Sequence, residues 1–188
     1  MTLIDLWLPI LLSAVFVFVA SSVIHMCLPI HRGDFKKLPS EDSVLASMRA
    51  ASVAPGAYML PCADSMKDMC SPEIVEKQKL GPVGYLTVVP NGPMNMGKNL
   101  LQWFLFSVLI GVFVGYIATI GLSAASSGTD VFRMTATVAF LGYGVSNISD
   151  SIWKGVSWTI TAKFLFDGLV YGLATGGAFL WMWPAATA

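Results

Sequence analysis

The stretch from Trp158 to Trp183, WTITAKFLFDGLVYGLATGGAFLWMW, limits what this chain can fold into more than any other. Its roughly two dozen mostly apolar residues suffice, at about 1.5 Å rise each, to cross a hydrocarbon core about 30 Å thick, and tryptophans at both ends suit the two interfaces. The spacing predicts a transmembrane helix over 159–183. Gly168, Gly172 and Gly176 recur every four residues, so they share one face on which a neighbouring backbone can approach closely. Lys163 and Asp167 are also four apart and are expected to pair along the helix, with Tyr171 and Thr175 continuing the polar stripe.

Composition agrees with a lipid solvent. The 188 residues are 55% hydrophobic and 12% charged, against about 25% charged in ordinary soluble domains. A formal net charge of zero gives no field that would attract nucleic acid. Three cysteines, Cys27, Cys62 and Cys70, form neither an even set nor a C-x-x-C pair, and free thiols are expected.

Three further spans are predicted. The first, 6–26, carries no charge, has Pro9 in its first turn, and is too long, without preceding basic residues, for a cleaved signal. The second, 100–122, is entered by Trp103 at headgroup depth and carries Gly111 and Gly115 as a packing face for the fourth helix. The third, 131–148, follows a short Ser/Gly/Ala turn that makes it an antiparallel neighbour of the second. Between the first two spans, 28–99 is a polar loop holding eight of the eleven basic residues. Within it Ser40, followed by Glu41 and Asp42, predicts a capped helix over 41–51, and Ser71-Pro72-Glu73 predicts another ending at Gly81. Tyr85 to Val89 is β-prone but bounded by prolines. The basic bias makes the loop cytoplasmic and puts both termini outside.

Few residues point to chemistry. Asp167 inside a span suggests ion or proton handling, weighed against simple neutralisation by a snorkelling Lys163. His25, Cys27 and His31 resemble a soft-metal patch, but on a regular helix His25 and Cys27 point about 200° apart and the spacing meets no metal motif. No metal site is therefore expected, although His25 alone could ligate a haem-type cofactor. Cys62 and Cys70 read as loop thiols. No nucleotide loop, nucleophile elbow or zinc-protease motif occurs, so no catalytic residue is named and an enzyme is not the expected reading.

The chain thus reads as one all-α integral membrane domain, 1–188, a bundle of four transmembrane helices with short helices in its cytoplasmic loop. The expected function is that of a bacterial inner-membrane accessory or scaffold subunit. It would pack against lipid and against partner membrane proteins or a second copy, without nucleic acid. The alternatives are a small transporter or channel using Asp167, or a membrane cofactor or metal-binding protein using His25. No particular cofactor is specified.

Overall fold

The computed structural model describes residues 1–184, which are mostly helical and divide into two units, one formed by Met1–Asp34 with the chain from Asn95 onward, the other by Phe35–Met94. The first unit contains α1 (Trp7–Ser22), α4 (Met96–Gly121), α5 (Gly128–Tyr143), α6 (Ile148–Lys154) and α7 (Trp158–Trp181). A 3-10 turn at Ile4–Leu6 and a π-helical turn at Val23–Cys27 lengthen α1 at its two ends. Three of these helices are long and apolar enough to cross a membrane: Ile4–Cys27, Met96–Gly121 and Trp158–Trp181.

The third expected span differs. Helix α5 ends at Tyr143, not 148, because the chain tightens into a 3-10 turn over Val145–Asn147 and continues as the short α6 through the expected linker. Its sixteen residues are about 24 Å long, short of a full crossing. Side-chain caps start two helices of this unit. Asn95 accepts from the Lys98 amide to open α4, and Ser127 accepts from the Asp130 amide to open α5.

Glycines set the packing, with partners other than those expected. Gly111 and Gly115 lie against Ile10 of α1, not against α7. The α7 stripe instead meets α5, where Gly168 abuts the Gly144 backbone, Gly172 faces the Ala136 carbonyl and Gly176 faces Ala136 and Phe132. Such contacts let α5 lie close along α7, while α1 packs on both α7 and α4. Leu6, Ile10, Val17, Val114, Val131 and Phe179 form the buried apolar centre.

The second unit holds α2 (Glu41–Ala50), α3 (Pro72–Leu80) and two antiparallel strands, β1 (Gly56–Leu60) and β2 (Gly84–Val88), paired from Gly56 with Val88 to Leu60 with Gly84. The pairing adds a two-stranded sheet to a loop for which short helices and one β-prone run were expected. The β-prone run at Tyr85 finds its partner nearly thirty residues earlier, a long-range match that no local pattern announces. Ser71 caps α3 as predicted by accepting from the Ile74 amide. Ser40 does not cap α2 with its side chain: it adopts a left-handed backbone, and its carbonyl accepts from Ser43 and Val44.

Candidate functional site

The π-helical turn that ends the first helix carries His25, whose side chain faces Asp167 of α7. Beyond it, Leu28 is extended, and turns closed by the Arg32 amide on the Pro29 carbonyl and the Asp34 amide on the His31 carbonyl fold the chain back. His31 is thereby stacked face to face on His25, with ring centroids 4.4 Å apart and planes 4° from parallel. Phe164 of α7 packs near it, with ring centroids 5.4 Å apart and planes tilted by 31°.

Asp167 lies beneath this pair. Its carboxylate, 2% exposed, has Oδ2 at 2.9 Å from His31 Nε2 and 3.9 Å from His25 Nε2. The shorter contact is not aligned as a hydrogen bond, and neither carboxylate oxygen has a hydrogen-bond partner among the described residues. The expected Lys163–Asp167 pair is absent from these contacts. Lys163 instead donates to Asp34, a carboxylate that no sequence motif marks. Two chain segments far apart in sequence thus supply better partners than the helical i, i+4 geometry, which is worth only about 0.2–0.5 kcal/mol.

The imidazoles are oriented from behind. His31 Nδ1 donates to Asp34 Oδ2 at 2.6 Å, and His25 Nδ1 donates to the Ser21 carbonyl at 3.1 Å. Asp34 is held ionised by the Lys163 ammonium, whose hydrogen bond lowers its pKa against the opposing effect of burial, with His31 assisting. Lys163, Asp34, His31 and Asp167 therefore form one connected row.

Between α1, α4, α5 and α7 a chamber of about 680 Å³ opens beside this row. Trp103, Phe106, Tyr143 and Phe164 give it aromatic walls, and His25, Asp167 and Tyr171 stand on its polar side. Trp103 is not simply an interfacial belt residue, as the sequence suggested, because its indole donates to Ser21 Oγ at 2.9 Å and packs near Tyr143 and Tyr171. The Tyr143 hydroxyl reaches the Ser107 carbonyl at 3.4 Å, whereas the buried Tyr171 and Thr175 hydroxyls have no hydrogen-bond partner among the described residues. A cavity of this volume, apolar with a few converging polar groups, has the properties of a small-molecule site.

No family model, curated protein or solved structure matches this chain. The chemistry of the site is therefore read from its own groups.

Of the residues singled out in the sequence, His25, Asp167 and Tyr171 come together, Lys163 joins through Asp34, and the five packing glycines lie at helix contacts. Cys27, Cys62 and Cys70 are exposed and free. Ligand atoms of His25, His31 and Asp167 all lie within 4.8 Å of one another, a grouping that the sequence did not announce. The reason is physical, since the ligands come from two segments whose approach no sequence spacing encodes. The usable signal was the pair His25 and His31 beside a helix end, taken with a carboxylate inside another apolar segment.

Proposed function

We propose that this chain is a four-helix bacterial inner-membrane protein that binds a lipid-soluble small molecule in the chamber between α1, α4, α5 and α7. The ligand's apolar body would lie against Trp103 and Phe106, and its polar end would meet His25 and Asp167. The observation that carries this reading is a 680 Å³ aromatic-walled cavity with, at its edge, a 2% exposed carboxylate that has no hydrogen-bond partner among the described residues. Leaving such a group unmatched is costly in an apolar setting.

Membrane insertion is supported by exposed apolar side chains at helical spacing, Leu101, Leu105 and Leu109 on α4 and Leu169, Leu173 and Leu180 on α7. In this reading α5 completes the bundle through its glycine-mediated seam with α7. The basic loop lies in the cytoplasm with both termini outside. A scaffold role would account for the helix seams but gives no reason for the chamber.

The test is analysis of small molecules extracted from protein purified in mild detergent, comparing wild type with Ser22→Trp, which puts an indole into the chamber. A lipophilic compound enriched over bulk lipid in wild type and lost in the variant is expected. Identical extracts containing only bulk lipid would refute the reading and favour the scaffold.

A further inference from the structure

Both histidines have their Nδ1 position assigned by chemistry. The Ser21 carbonyl and the ionised Asp34 carboxylate can only accept, so each Nδ1 carries the proton that it donates. In a neutral imidazole the remaining nitrogen, Nε2, then holds a lone pair. Both Nε2 atoms face Asp167 Oδ2, at 2.9 and 3.9 Å. Lone pairs aimed at a carboxylate oxygen repel unless a cation or a proton lies between them. A single proton between His31 Nε2 and Oδ2 would serve the 2.9 Å contact alone and leave the His25 Nε2 lone pair, at 3.9 Å, facing the carboxylate.

We propose that His25 Nε2, His31 Nε2 and the Asp167 carboxylate bind one divalent first-row transition metal ion, of the zinc class. Two imidazole nitrogens and one carboxylate are an established donor set for such ions. Bond lengths of about 2.0–2.2 Å place tetrahedral ligand atoms about 3.3–3.6 Å apart, a range bracketed by the two distances to Oδ2, and a tilt of the stacked rings toward each other brings both Nε2 lone pairs onto one ion. The supporting contacts match a metal centre as well: a carboxylate behind one ligating imidazole and a backbone carbonyl behind the other fix tautomer and ring direction. Three protein ligands leave a coordination position vacant, and because His25 and Asp167 both line the chamber, that position is available to a molecule held there. The metal centre goes beyond the chamber reading and does not depend on it.

Full-length protein, purified in mild detergent and stripped with chelator, is titrated with Co²⁺, whose visible absorption reports coordination by nitrogen ligands. One equivalent is expected to bind with a new absorption band and to be displaced by Zn²⁺. His25→Ala should lose this stoichiometric binding; because the His25 side chain is 43% exposed, the variant should still elute as folded protein. Asp34→Asn, which leaves all three ligands in place, should weaken binding roughly 10–100-fold. Ser22→Trp should keep the metal while losing any chamber ligand, so that failure of one reading is distinguishable from failure of the other. Unchanged Co²⁺ binding in folded His25→Ala, or no Co²⁺ uptake by wild type, would overturn the proposal.

Discussion

Gly168 lies at the tightest helix contact, and a single added methyl group there should separate α5 from α7. A Cβ at Gly168 would be 2.3 Å from Gly144 Cα and 2.5 Å from Gly144 N. Ordinary carbon contacts lie at about 3.5–4.0 Å, so the helices must move apart by more than about 1 Å, and the opposing atoms are backbone that cannot rotate away. Overpacking of this kind costs about 1–3 kcal/mol, and the backbone obstacle puts Gly168→Ala at the upper end. The helix-propensity gain of up to about 1 kcal/mol offsets only part of it. Gly177, on the same helix, would have nothing within 4 Å of an added Cβ and so isolates that gain. Thermal unfolding in detergent should therefore show Gly168→Ala lowered by roughly 4–12 °C and Gly177→Ala unchanged or slightly raised. Equal midpoints for the two variants would refute the close α5–α7 seam.

Two other outcomes follow from the site's contacts and a third from the proposed topology. A double-mutant cycle of Lys163→Met with Asp34→Asn should give a coupling of about 0.5–3 kcal/mol, larger than that of Lys163→Met with Asp167→Asn; the reverse order would restore the intrahelical pair. Asp34 has a lowered pKa in the folded state, so its contribution to stability is complete above the ordinary carboxylate value of about 4 and is lost as pH falls through the lowered one. Thermal midpoints should accordingly drop on acidification below about pH 4, and less steeply in Asp34→Asn; parallel curves for the two proteins would contradict this. A membrane-impermeant thiol reagent should miss the exposed Cys62 and Cys70 in intact cells and label both after lysis, whereas labelling from outside would invert the topology.

Much of the helical architecture was legible because it is local. Apolar run lengths marked the three long helices, and Ser71-Pro72 and Gly81 marked both ends of α3. Four-residue glycine spacing identified packing faces but not their partners, since Gly111 can meet α1 or α7 equally well on pattern alone. The β1–β2 pairing and the contact between Lys163 and Asp34 are long-range, and nothing in periodicity specifies either. The candidate site was half legible. Asp167 and His25 stood out as polar groups in or beside apolar runs, but their convergence needs the turn at Pro29–Asp34, which carries His31 back over the helix end.

The chain contains two histidines, so ¹⁵N-histidine labelling reports on the candidate centre alone. Nitrogen NMR of the purified protein tests most directly whether His25, His31 and Asp167 form one unit. Both Nδ1 atoms should appear protonated, and both Nε2 resonances should shift together when Zn²⁺ is added, a response abolished by Asp167→Asn in protein that still elutes as folded. Two imidazoles that ignore Zn²⁺ and are unaffected by Asp167→Asn would contradict a shared centre.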